Sequence, residues 1–279
     1  MLKNKTAIIT GGVRGIGFAI TEELIKNGAK VVICSRTKSD LQKAILALNQ
    51  NGKVAYGIVV DVSKFKDCEK LIKFAKNKLG SIDILVNNAG IFGPIGLLET
   101  NNPKAWQQAL SVNILGAVYC SMLVLPYMKK QGSGKIINLA GAGVGGIKTL
   151  PRFSTYYTSK TAVVAFTENL ASELEENNIQ VNAISPGAVA SDLTLSLLKL
   201  DESLVGEAMF KTSQKLKKDG GTSPKLAGQL VVFLSSNESN HISGRLLSTK
   251  WDKIENLKKQ LKNNLYKLRR IDQELFYEK

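Results

Sequence analysis

Ala7-Ile8-Ile9-Thr10-Gly11-Gly12-Val13-Arg14-Gly15-Ile16-Gly17 decides the reading of this chain: an apolar run that breaks, within the first twenty residues, into closely spaced glycines. The pattern predicts a strand, a tight turn and a helix start. Glycine lets the backbone turn tightly and approach a ligand, and the unpaired amides at a helix N-terminus attract phosphate. The spacing is G-x-x-x-G-x-G rather than the general G-x-G-x-x-G, and a glycine turn that only packs a helix on a strand looks the same in isolation. The flanks decide between them. Ile16, Ile20 and Leu24 form one helical stripe, Asn27-Gly28 supplies a stop, and Val31-Val32-Ile33-Cys34 follows as a second buried strand. This is a βαβ unit, and it implies a dinucleotide ligand.

Helix and strand patterns continue to alternate. Leu41, Ala44, Ile45 and Leu48 mark a second amphipathic helix, and residues 54–60 a third strand ending at Asp61. Ser63 is the expected cap of the next helix and Gly80 its stop. Residues 82–86 form a fourth strand running into Asn87-Asn88-Ala89-Gly90, and Asn102-Pro103 opens a long helix ending at Gly132. Fifth, sixth and seventh strands are expected at 135–139, 180–184 and 245–247. The fold class is therefore α/β, a Rossmann-type doubly wound parallel sheet of about seven strands flanked by helices. Right-handed crossovers gather the loops after each strand along one edge, where ligands bind.

The bulk properties narrow the classes. The chain has 279 residues and 44% hydrophobic content, and no linker or repeat interrupts the alternation until about residue 250. One domain, 1–249, is expected, followed by a basic helical extension, 250–279, with Leu257, Leu261, Leu265 and Leu268 at helical intervals. The first strand leaves no room for a leader, and no apolar run approaches bilayer length. Cys34, Cys68 and Cys120 lack disulfide or zinc spacing. A cytoplasmic protein with no metal site and no membrane association is expected. Lys+Arg 38 against Asp+Glu 23 gives +15, but the lysines are dispersed without aromatic interleaving, which argues for solvated faces and against nucleic acid. His241 reads as a loop residue.

The chemistry is sought in Tyr156 and Lys160, four apart in a helical pattern over 155–176 and so on one face. A lysine ammonium beside a tyrosine favours the phenolate, lowering its pKa toward a range in which it exchanges a proton with an alcohol or carbonyl. Tyr157 has Thr161 at the same spacing and lacks this partner.

At these residues the chain resembles the short-chain dehydrogenase/reductase superfamily, in its shorter single-domain form, to about Thr249. The landmarks are Thr10 to Gly17, Asn87-Asn88-Ala89-Gly90, Asn113, Tyr156-Tyr157-Thr158-Ser159-Lys160 and Ser185-Pro186-Gly187. The resemblance implies hydride transfer between a nicotinamide and a carbonyl or secondary alcohol, with Tyr156 exchanging the proton. It also implies that Lys160 holds the nicotinamide ribose and tunes Tyr156, and that Asn113 positions a water. Gly11, Arg14, Gly15, Ile16, Gly17, Ser35, Arg36, Asp61, Val62, Asn88, Ala89, Gly90, Pro186, Gly187, Val189 and Ser191 complete the expected cofactor site. The second strand ends Cys34-Ser35-Arg36 with no acidic residue, so Arg36 and Arg14 can grip a 2′-phosphate; NADP(H) is expected over NAD(H). Relatives of this kind form homodimers or homotetramers, and the substrate is a small carbonyl or alcohol compound.

Two features depart from the family. Its serine after the fifth strand is missing: counting from the strand reaches Gly141, counting back from Tyr156 reaches Gly143, and Thr149, Ser154 and Thr155 are the candidate replacements. Losing one oxyanion donor costs on the order of 10²–10³ in rate, which admits a nucleotide-binding sensor or scaffold as an alternative. A sugar-nucleotide-modifying enzyme is a second alternative. Residues 190–221 predict one or two helices closing over the cleft, and Lys148 and Arg152 could hold an anionic substrate. The basic extension is the other departure.

Overall fold

Strands form where branched apolar residues run together, and the central ones here are buried on both faces, as in a covered parallel sheet. The computed structural model describes residues 2–141, 143–145 and 149–259. Its strands are β1 (Thr6–Thr10), β2 (Lys30–Ser35), β3 (Ala55–Val59), β4 (Ile84–Asn87), β5 (Gly134–Leu139), β6 (Ile179–Ser185) and β7 (Leu246–Ser248). They make one parallel sheet in the order β3-β2-β1-β4-β5-β6-β7. The expected doubly wound architecture is present, and the order reverses between β1 and β4, where such sheets open a crevice.

Alternate residues feed two layers. Ile9, Val31, Ile33 and Val86 pack with α1 (Gly15–Lys26), α2 (Lys38–Leu48) and, later in the chain, residues 224–234. Ile8, Val32, Cys34 and Leu85 face α3 (Phe65–Leu79) on the other side. The period-two alternation of a strand thus supplies both cores from one sequence.

Local chemistry sets the ends of the helices. Gly80 and Gly132 stop their helices at φ 81° and 67°. Asn102 caps α4 (Pro103–Leu110) by accepting the amides of Lys104 and Ala105. Ser63 is not a cap: Lys64 holds that position, and the Ser63 hydroxyl donates to Asp61 Oδ1 at 2.8 Å. The expected long helix is divided, α4 passing through a π-turn (Ser111–Leu115) into α5 (Gly116–Gln131). Contrary to expectation, the 29 residues of this run are long and apolar enough to cross a bilayer. In the fold its inner face packs on α3, β4 and β5 as a core helix.

α6 (Ser154–Glu173) follows β5, and residues 190–221 form four short helical pieces rather than one or two helices. They are α7 (Asp192–Leu195), a 3-10 turn (Ser196–Lys199), α8 (Glu202–Val205) and α9 (Glu207–Asp219). A Val189–Gly221 bridge closes the base of this excursion, and Leu197 and Val205 anchor it to Phe153. α10 (Pro224–Leu234) returns to the sheet, and α11 (Ile254–Leu257) seats Leu257 in the core, its carbonyl 3.0 Å from His241 Nε2. Of the expected extension, Leu261, Leu265 and Leu268 lie outside the described residues.

Helices α1 and α10 touch through Gly228. A Cβ there would lie 2.9 Å from the Ala19 carbonyl oxygen and 2.8 Å from Glu23 Cβ. Alanine is the better helix former by about 1 kcal/mol, whereas overpacking costs roughly 1–3 kcal/mol. Because one obstacle is backbone, the clash wins. Gly228→Ala is expected to lower unfolding free energy by about 1–2 kcal/mol in urea titration; a more stable variant would show that the helices separate freely.

Candidate active site

The glycine turn is held by the loop after β4. Gly11 and Gly15 take φ of 64° and 53°, conformations that favour glycine. Gly17 is needed for close approach, since a Cβ there would stand 2.4 Å from both the Gly11 carbonyl oxygen and Asn88 Nδ2. That Asn88 amide donates to the carbonyls of Thr10 (2.9 Å) and Gly11 (3.0 Å). Thr10 Oγ1 in turn accepts the backbone amides of Asn88 and Ala89, each at 3.0 Å. The two loops that flank the switch point are thereby stitched into one wall.

A cavity of ≈ 250 Å³ opens over this wall. Gly11, Arg14, Gly15, Ile16 and Gly17 line it from the first loop, and Ser35 and Arg36 from the end of β2. Asp61 and Val62 follow β3, while Asn88, Ala89 and Gly90 follow β4. Tyr156 and Lys160 enter from α6, and Pro186 and Ser191 from the segment after β6. The loops thus converge as the topology requires.

Three expected residues do not line the cavity. Gly187 turns beneath it at φ 76° against Thr222, and Val189 is buried in its bridge to Gly221. Asn113 is a clamp in the π-turn. Its Oδ1 accepts the Ile91 amide at 2.9 Å, and its Nδ2 donates to the Ile91 carbonyl and to Ser159 Oγ, both at 2.9 Å. Ser159 Oγ then donates to the Tyr156 carbonyl at 2.8 Å, so the clamp ties the β4 loop to the turn carrying Tyr156.

The lining also includes residues not expected as individual site residues, among them Cys34, Ile91, Leu139, Ala140, Asp192 and Leu193. Asp192 reaches Arg14 across the mouth at 3.7 Å, with both side chains two-thirds exposed. Such a pair is worth about 0–1 kcal/mol. The adjacent N-cap, Ser191, was the available signal that a helix begins at Asp192 and points into the cleft.

Tyr156 and Lys160 share a face of α6, but their electrostatics differ from expectation. Lys160 Nζ is buried and donates to the Leu139 carbonyl at 2.8 Å. Tyr156 packs edge-on against Phe92, centroids 4.9 Å apart. Burial pushes the phenol up from its usual 10.0 to about 12, and pulls the lysine down from 10.5 to about 8. Desolvation thus works against the lowering expected from the ammonium, which is engaged by the Leu139 carbonyl.

None of the candidate replacements, Thr149, Ser154 and Thr155, lines the cavity. Ser154 and Thr155 hydroxyls are buried without partners, and Thr149 is exposed on the surface. Arg152, at φ 69°, packs toward Gly206 and does not line the cavity. Lys148 lies outside the described residues.

Residues 5–200 match the family model described as short chain dehydrogenase. A mouse (Mus musculus) dehydrogenase/reductase SDR family member 4 is 34% identical over 243 residues, covering 87% of this chain and 85% of that protein. A solved actinorhodin polyketide ketoreductase variant with NADPH is similar at TM-score 0.80 and 26% identity, over 89% of this chain and 97% of the other. A 3-ketoacyl-(acyl-carrier-protein) reductase from Brucella melitensis, complexed with NADH, is similar at TM-score 0.77 and 29% identity, with coverage of 89% and 97%.

The buried Lys160 has a measurable consequence. Its folded value of about 8 lies below the usual 10.5, so between them the unfolded chain holds a proton that the folded chain has released. Stability therefore rises with pH in that window. Lys160→Met is expected to flatten the rise, measured by denaturant titration from about pH 8 to about pH 10, by up to about 1.4 kcal/mol per pH unit. Equal slopes in both proteins would mean that the ammonium is solvated.

Proposed function

As the chain belongs to the short-chain dehydrogenase family, the oxidoreductases of carbonyl and alcohol groups, we propose that it is an NADP(H)-dependent carbonyl reductase in which Tyr156 supplies the proton. The observation that carries this reading is the convergence of the glycine turn, Arg36, Lys160 and Tyr156 on one cavity. The residues fit a dinucleotide: Gly15 leaves open space above the helix start, where a Cβ would meet nothing nearer than Ser191 Cβ at 3.6 Å, and helix amides there favour phosphate. When bound, the nicotinamide supplies or accepts the hydride.

The protein's own part is positioning and proton transfer. Burial pushes the phenol up, so Tyr156 carries its proton at neutral pH and can donate it to the oxygen of a carbonyl. Lys160, held by the Leu139 carbonyl, packs closely on Gly90, where a Cβ would stand only 3.2 Å from Nζ and 3.3 Å from Asn113 Oδ1. Its ammonium lines the cavity, where it can donate to a ribose hydroxyl. Asn113 acts as a positioning residue through Ile91 and Ser159.

Preference for NADP(H) rests on Arg14 and Arg36 at the adenosine end, with no carboxylate at the end of β2. The same reading sets the protein in a reducing, cytoplasmic environment, supported by three free buried cysteines. It also includes a homo-oligomer, supported by the exposed apolar side chains of Phe65, Leu115 and Met122 along α3, the π-turn and α5.

Tyr156→Phe is expected to lower kcat for NADPH oxidation with a ketone and aldehyde panel by roughly 10²–10⁴-fold while NADPH still quenches protein fluorescence. Unchanged turnover would remove Tyr156 from the reaction. Arg36→Asp is expected to shift the NADPH-to-NADH affinity ratio at least about tenfold toward NADH. A constant ratio would refute the assignment of the 2′-phosphate to Arg36.

A further inference from the structure

Gly141 follows β5 directly and, counted from the strand, stands where the resemblance expects a serine. A Cβ built on it would lie 2.8 Å from Tyr156 Cε1, 3.0 Å from Tyr156 Cζ and 2.8 Å from Lys160 Cγ. Gly141 is not among the positive-φ residues, so its backbone would accept a side chain without conformational strain. What excludes the side chain is volume.

The neighbours are poorly placed to yield. The Tyr156 ring is backed by Phe92, which itself packs edge-on against Phe153 at 5.3 Å, and Phe153 is fully buried under Leu197 and Val205. Lys160 is fixed at its tip by the Leu139 carbonyl. A close-packed wall of this kind transmits an added methyl group as a displacement rather than absorbing it.

We infer that Gly141 is a positioning residue whose missing side chain cedes to the Tyr156 ring the space at the end of β5, leaving the tyrosine to serve the reacting oxygen with no hydroxyl partner from residue 141. This inference rests on the proposed carbonyl chemistry. It makes the absent serine a steric requirement of this tyrosine, and a serine reinstated at residue 141 displaces Tyr156 instead of assisting it. A site lacking only a hydroxyl would respond in the opposite way.

Comparing Gly141→Ala with Gly141→Ser separates the two. Steric clearance predicts that both lower kcat with the best carbonyl of the panel by tenfold or more, with serine no better than alanine and NADPH still bound by both. A Gly141→Ser kcat equal to or above that of the unsubstituted protein would overturn the inference. A crystal structure of Gly141→Ala gives a readout independent of turnover: the Tyr156 ring is expected to move away from residue 141. A ring that stays in place would overturn the inference too. If the unsubstituted protein reduces no carbonyl, the functional reading fails separately, and the ring displacement still decides the role of Gly141.

Discussion

The arrangement depends on how closely the backbone at Thr10–Gly17 can approach the loop after β4. Neighbouring parallel strands place these loops side by side, and the Asn88 amide, spanning two carbonyls, and Thr10 Oγ1, accepting two amides, lock them together. These bonds satisfy backbone groups that a parallel sheet leaves unpaired where its strands end. Because Asn88 lies against Gly17, any side chain at residue 17 would collide with the same amide that holds the turn. Close approach therefore fixes both the turn and the floor of the cavity, and the groups arriving from β2, β3 and α6 are positioned relative to that floor.

Two clamps transmit this placement to the reacting end. The π-turn inserts an extra residue's worth of backbone where Asn113 must reach both polar groups of Ile91 and the Ser159 hydroxyl. The Leu139 carbonyl, at the end of β5, holds Lys160. Phenol and ammonium are thus set by separate elements, one by an apolar wall and the other by a strand end. Burial then moves their titrations in opposite directions, because it disfavours the charged form of each.

Much of this was legible in the sequence because it follows from periodicity and from residues with special backbone properties. Ile8 and Ile9 alternate between two cores, Asn102-Pro103 and Gly132 mark helix ends, and the loops after successive strands had to converge. What escaped depended on tertiary competition. Ser63 has the right chemistry for a cap, but Asp61, two residues earlier, takes its hydroxyl. The π-turn has no local signature in Ser111 to Leu115. Four-residue spacing put Tyr156 and Lys160 on one face, yet spacing says nothing about the carbonyl that captures the ammonium or the desolvation that overrides it. Gly187 and Val189 follow a strand toward the cleft, but their side of the turn is consumed by Thr222 and Gly221.

Taken alone, the loss of the serine is compatible with a protein that binds nucleotide without turning it over. The energetics favour the other reading. A buried ammonium satisfied by a neutral carbonyl is costly to fold around, and replacing such a charge with an apolar side chain is often neutral or stabilising. A nucleotide scaffold could keep Lys160 for the ribose alone, but it gains nothing from a phenol turned onto the same cavity at Tyr156. Groups held at a cost in a cleft, with titrations displaced by burial, are the mark of a site built for proton transfer. The glycine at residue 141 fits the proposed chemistry: the volume it releases is filled by the tyrosine ring, so on that proposal the departure from the family pattern keeps the proton donor and gives up its partner.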